Sequence, residues 1–126
     1  MKKTVGVLYG GKSGEHEVSC CSAASVFSSI DRAKYEVIAV GVDRDGRWYP
    51  QEPASFVDDP AFGKVLEIKK EGNWLVSHFA SADKLVLHET GSGRSVSVDV
   101  VFPIIHGTNG EDGTLQGLLE LASVPY

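Results

Sequence analysis

The first 42 residues constrain this chain more than any other stretch. Thr4-Val5-Gly6-Val7-Leu8-Tyr9 is a short apolar run that ends on Gly10-Gly11, the pattern of a buried strand stopped by a turn. Lys12-Ser13-Gly14-Glu15-His16-Glu17-Val18 comes next, and then a segment reaching Ile30. In that segment Cys20, Ala23, Ala24, Phe27 and Ile30 recur at helical spacing, so one face is apolar. Ser13 or Gly14 can serve as N-cap, and Glu15 and Glu17 fall in the first turn, where the helix dipole favours negative charge. Tyr35 to Val42 supplies a second strand. Strand, helix and strand in so few residues form a βαβ unit, with parallel strands and a right-handed crossover.

The end of the chain repeats this logic. Residues 98–105 form another near-continuous apolar strand, succeeded by the glycine-rich loop from His106 to Gly113. Leu115, Leu118, Leu119 and Ala122 then recur as a helix face, with Asp112 as a cap. Val124-Pro125 stops that helix just where another strand is due, so the chain reads as a fragment. The middle, about residues 43–98, holds turns at Asp45-Gly46, Glu71-Gly72-Asn73 and 90–93. Strand-like runs lie between them at 65–68, 74–76, 85–87 and 96–98. Two hairpins, pivoting near Gly72 and near Ser92, are expected. The fold class is therefore α/β, a small parallel sheet with a β-rich insertion.

Composition narrows the partners. Val, Ile, Leu and Phe account for 35 of 126 residues, enough for a packed core. Lys and Arg number 12 against 17 Asp and Glu, for a net charge of −5, with no basic run to track a phosphate backbone, so no nucleic-acid partner is expected. No apolar stretch approaches a membrane span, and the N-terminus enters a strand directly, which points to the cytoplasm. Cys20 and Cys21 are adjacent and read as reduced side chains beside a helix face; two ligands are too few for a closed zinc site.

If the first and last strands are parallel, both loops leave the same sheet edge, where open α/β sheets bind ligands. Glu15 and His106 then offer one anion and one possible cation at a shared rim, a pairing that suits a zwitterionic amino acid better than a nucleotide. Each residue also has a plainer explanation. Glu15 could complement the helix dipole, His106 could be a capping or solvent-facing residue, and Glu111 and Asp112 could be a turn and a cap. Gly10-Gly11 is neither G-x-G-x-x-G nor a P-loop. His78 and His88 read as surface residues, and Trp48, Trp74, Tyr35 and Phe102 as packing.

His106-Gly107-Thr108-Asn109-Gly110-Glu111-Asp112-Gly113-Thr114-Leu115-Gln116-Gly117 resembles the H-G-x-x-G-E-D-G-x-x-Q-G signature of D-alanine–D-alanine ligases. Gly10-Gly11-x-Ser13-x-Glu15-His16-Glu17-Val18-Ser19 resembles the N-terminal motif of the same family, and Leu119-Glu120 and Val124-Pro125-Tyr126 match the family's residues on the C-terminal side of the signature. The resemblance implies the N-terminal, Rossmann-like pre-ATP-grasp domain of a cell-wall ligase, residues 1–126, with the central and C-terminal ATP-grasp domains absent. In that family ATP phosphorylates one D-alanine, and the amino group of a second attacks the acyl phosphate. By the resemblance, Glu15 holds the ammonium of the first D-alanine, His106 sits by its carboxylate and Val18 touches its methyl group. Ser19, Glu111 and Asp112 stand behind them. ATP and Mg²⁺ or Mn²⁺ would be bound by the missing domains, so this chain alone is expected to be inactive, and the family implies a homodimer.

Three other readings compete. A D-alanine–D-lactate ligase would look the same here, because the residues choosing between nucleophiles belong to the missing lid. A stand-alone α/β binding module is allowed by fold alone, but needs neither Glu15 nor His106. A dinucleotide-binding Rossmann half lacks its glycine fingerprint.

Overall fold

The computed structural model describes residues 2–12, 14–79, 84–105 and 125–126. The opening βαβ unit forms as its periodicity predicts: β1 (Lys3–Gly10), α1 (His16–Ser29) and β2 (Tyr35–Val42), with β1 and β2 parallel from Lys3↔Tyr35 to Gly10↔Val42. The other described strands are β3 (Trp48–Gln51), β4 (Phe56–Asp59), β5 (Gly63–Leu66), β6 (Trp74–Phe79), β7 (Lys84–Glu89), β8 (Ser95–Val98) and β9 (Val100–Ile104). The main sheet has the order β3-β2-β1-β9, with β9 parallel to β1 and β3 antiparallel to β2. The architecture is α/β with additional short strands.

Side-chain alternation along β1 divides the core. Val7 and Tyr9 enter one cluster with Cys20, Ala23 and Ala24 of α1 and Val65 and Leu66 of β5. Leu8 enters the other with Leu85 and Leu87 of β7 and Val98 of β8. Small side chains on the buried face of α1 let its backbone approach the sheet, and the antiparallel sheet β6-β7-β8 covers the opposite face. Among the described residues no helix is long and apolar enough to cross a membrane.

Several local expectations need correction. Residues 98–105 do not form one strand. Asp99 turns its N–H to the Thr4 carbonyl at 2.9 Å and accepts the Thr4 N–H on its carboxylate at 2.8 Å, which breaks the run into β8 and β9. Gly72 is not a hairpin pivot: β5 pairs back with β4, and β6 pairs forward with β7. The hairpin around Ser92 does form, closed by Glu89 N–H to Arg94 carbonyl at 2.9 Å. Tyr35, at the entry to β2, is 38 % exposed, and Phe102, on the outermost described strand, is 46 % exposed, so neither is core. Trp48 and Trp74 do pack on the β7–β8 side of the core. His88 is half-buried in β7, while the side chain of His78 lies outside the described residues.

Candidate functional site

The chain runs from β1 outward to β2, then returns to the other side of β1 as β9. The carboxyl ends of β1 and β9 therefore flank a topological switch point, the crevice where open α/β sheets place their ligands. The loop that leaves β1 reaches Glu15, and the chain leaving β9 continues towards residue 106.

Backbone geometry shapes the first of these loops. Gly10 and Gly11 have φ of 93° and 100°, a region that side-chain-bearing residues rarely enter. A Cβ on Gly10 would stand 2.3 Å from the Val42 carbonyl oxygen, and one on Gly11 would stand 2.9 Å from Ile105. The turn is thus pressed between the end of β2 and the residue immediately before His106. Gly11 N–H donates to the Val42 carbonyl at 2.8 Å, and the His16 ring closes on the Gly11 carbonyl through Nδ1 at 2.8 Å.

Glu15 occupies the N-cap of α1, is exposed, and does not cap the helix with its side chain. The expected cap is therefore displaced: Gly14 precedes it, and Ser13 lies outside the described residues. Glu17 sits in the first turn as expected and pairs with Arg44 of the β2–β3 turn. Val18, three residues beyond Glu15 and so on the same helical face, is 38 % exposed. Ser19 is completely buried. Its hydroxyl accepts the Gly10 N–H at 2.8 Å and donates to the Ile104 carbonyl, joining the ends of both strands. His106, Glu111, Asp112 and the Leu115–Ala122 helix face lie outside the described residues. The structure thus gathers Glu15, Val18 and Ser19 at the switch point, and brings Ile105 against the same turn.

Behind this rim burial raises the pKa of two groups, Cys20 and Tyr9. Burial foremost, with Cys21 adding to it, pushes the Cys20 thiol up to about 11. Burial likewise raises the Tyr9 hydroxyl, which donates to the Glu67 carbonyl at 2.7 Å. Both cysteines are reduced, as their adjacency predicts.

Sequence reasoning missed two contributors. His16 braces the glycine turn, for which its place at a loop–helix junction gave no signal. Asp43, only 3 % exposed, accepts the N–H groups of Asp45 and Arg47, both at 2.9 Å, and fixes the β2–β3 turn. An Asp two residues before Asp-Gly is a recognisable sign of that role. A separate cleft of about 310 Å³ opens beside the first turns of α1, lined by His16, Glu17, Cys20, Asp43, Arg44 and Lys70 among others. Its lining includes none of Glu15, Val18 and Ser19, and the switch-point argument favours the β1–β9 rim over it. Among the described residues no group of three or more His, Cys, Asp or Glu could hold a metal ion.

Comparison with known proteins fits this geometry. The chain is 44 % identical to the D-alanine--D-alanine ligase of Natranaerobius thermophilus over 128 residues, covering all of this chain and 33 % of that protein. It is 47 % identical to D-alanine--D-alanine ligase A of Bradyrhizobium diazoefficiens, covering 99 % of this chain and 34 % of the relative. The chain thus spans about a third of the length of the curated relatives it matches. Among solved structures, the D-alanine-D-alanine ligase from Coxiella burnetii superposes with a TM-score of 0.72 at 39 % identity, over 99 % of this chain and 35 % of that one. The VanG D-Ala:D-Ser ligase from Enterococcus faecalis does so with a TM-score of 0.70 at 32 % identity, with the same coverage. The family described as D-ala D-ala ligase N-terminus matches residues 4–126, and the chain belongs to that family.

Proposed function

We propose that residues 1–126 form the N-terminal domain of an ATP-dependent ligase that joins two D-alanines for peptidoglycan synthesis, and that this domain holds the first D-alanine. The observation that carries the reading is the pinned switch point. One buried hydroxyl ties together the two strand ends, that of β1, which leads to Glu15, and that of β9, which ends two residues before His106.

Glu15 pairs with the ammonium of the first D-alanine, Val18 packs on its methyl group, and His106 lies by its carboxylate. Such fixation lets the carboxylate meet a phosphoryl group in one orientation, and rigid elements perform it well because the ordering cost is already met in folding. Donor groups at the carboxylate offset its repulsion from ATP and stabilise charge that builds in the transition state. Glu111 and Asp112 support the loop, and Ser19 the strand ends.

The part of this domain is to bind and orient the amino acid. ATP and the metal are assigned to the part of such a ligase that lies outside the third this chain covers in its relatives. The longer protein acts in the cytoplasm as a homodimer formed through this region. Support for D-alanine as both substrates comes from the names of the curated relatives.

The test is steady-state kinetics on the complete chain. Glu15→Gln raises KM for the first D-alanine and lowers kcat, by on the order of tenfold each for loss of a charged hydrogen-bonded pair. An unchanged first-site constant removes Glu15 from the pocket, and no dipeptide from the wild-type chain overturns the whole reading.

A further inference from the structure

We propose that Ser19 is a positioning residue for the first-substrate pocket, setting the spacing between its two walls; this rests on the reading of the pocket given above. Three bonds converge on this residue. Its N–H donates to the Glu15 carbonyl at 3.0 Å, its hydroxyl accepts the Gly10 N–H at 2.8 Å, and the same hydroxyl donates to the Ile104 carbonyl. One residue therefore holds the backbone of the Glu15 cap, the last residue of β1 and the last residue of β9. Ile104 lies 85 positions away in sequence, so no local structure supplies this link.

The placement is more specific than core packing requires. Ser19 is 0 % exposed and shares the buried face of α1 with Cys20, Ala23 and Ala24, none of which carries a hydroxyl. A hydroxyl there must be satisfied twice, and it is, once as acceptor and once as donor. The two strand ends are already paired up to Tyr9↔Ile104. Beyond that register the ladder stops, so the hydroxyl acts at the point where backbone pairing no longer fixes the separation of the two strand ends. Removing it leaves the buried Gly10 N–H and Ile104 carbonyl without this partner and the two strand ends without their link.

The test compares Ser19→Ala, Ser19→Cys and a remote core control, Leu87→Ala, in the complete chain. Measurements are first-site KM for D-alanine, KM for ATP, Tm, and amide exchange in segments 6–11 and 102–105. Ser19→Ala is expected to raise the D-alanine KM about tenfold, the usual effect of leaving a buried polar group unpaired, with the ATP KM within about twofold. Exchange rises in both segments together. Ser19→Cys, a weaker donor of similar size, gives an intermediate KM. Leu87→Ala lowers Tm without moving either KM. The proposal is overturned if Ser19→Ala behaves like Leu87→Ala, if exchange rises in one segment only, or if Ser19→Cys keeps the wild-type KM while Ser19→Ala does not fold. If the wild-type chain joins no D-alanine, the functional reading fails, and the exchange data alone decide whether Ser19 couples the two strand ends.

Discussion

Gly10 carries the tightest constraint at the scale of single residues. Its φ of 93° and the 2.3 Å approach of a would-be Cβ to the Val42 carbonyl oppose any side chain, and the obstacle is backbone, which cannot swing aside. Gly10→Ala is expected to cost at least about 2 kcal/mol, combining left-handed strain with displacement of the end of β2. In a thermal melt this appears as a fall of roughly 10 °C. An unchanged Tm means that the turn is not strained by sterics and that the pressed geometry of the site is incidental. The glycine pair was legible in sequence as a strand-ending turn. The clasping role of Ser19 was not, because a serine on a helix face carries no mark of which distant carbonyl it meets. His16 shows the same limit: its contact with the Gly11 carbonyl depends on how the loop folds back, and spacing alone does not encode that.

At the scale of elements, legibility tracked periodicity and failed where single polar groups intervene. β1, α1 and β2 were readable because each sustains one period over eight or more residues. The apolar run 98–105 looked like one strand because hydrophobicity carries straight across Asp99. The β4–β5 hairpin escaped notice because each strand has four residues, yet Asp59-Pro60 announces its turn, and the Asp59 carboxylate accepts the N–H groups of Ala61 and Phe62 at 2.8 and 3.1 Å. Asp99 also gives the junction of β1, β8 and β9 a pH dependence. The Thr4 N–H first, and then Lys84 at 3.3 Å and Lys3, hold its carboxyl below the usual carboxylate range. A carboxyl with a depressed folded-state pKa contributes stability above its unfolded pKa of about 3.9, and loses it as pH falls through the folded value. Asp99→Asn is therefore expected to be less stable than wild type at pH 7 and to converge with it near pH 2, as read by urea unfolding across that range. Parallel curves, with the gap unchanged down to pH 2, remove Asp99 from the acid response.

At the scale of the whole molecule, charge and layering separate two tasks. The chain carries −5 overall, and four of its described cations stand in ion pairs: Arg44 with Glu17, Lys70 near Asp43, Lys84 with Asp99 and Arg94 with Glu89. A triphosphate needs converging cations or a run of backbone N–H groups at a helix N-terminus. Here the start of α1 presents Glu15 and, paired with Arg44, Glu17, and carboxylates at that end disfavour a phosphate. In the proposed function, Glu15 at this helix start favours an ammonium over a phosphate. Calorimetric titration of the 126-residue chain with ATP is thus expected to show no saturable binding up to millimolar concentration. Titration with D-alanine, monitored by amide chemical shifts, is expected to move Gly10, Gly11, Val18 and Ser19 before any residue of the β6–β8 sheet. Saturable micromolar ATP binding by this chain would assign the nucleotide to the wrong part of the ligase and leave the switch-point crevice without its amino acid. Shifts centred on the cleft around Asp43 and Lys70 would instead move the amino-acid pocket to the far side of the glycine turn, and take Glu15 and Val18 out of it.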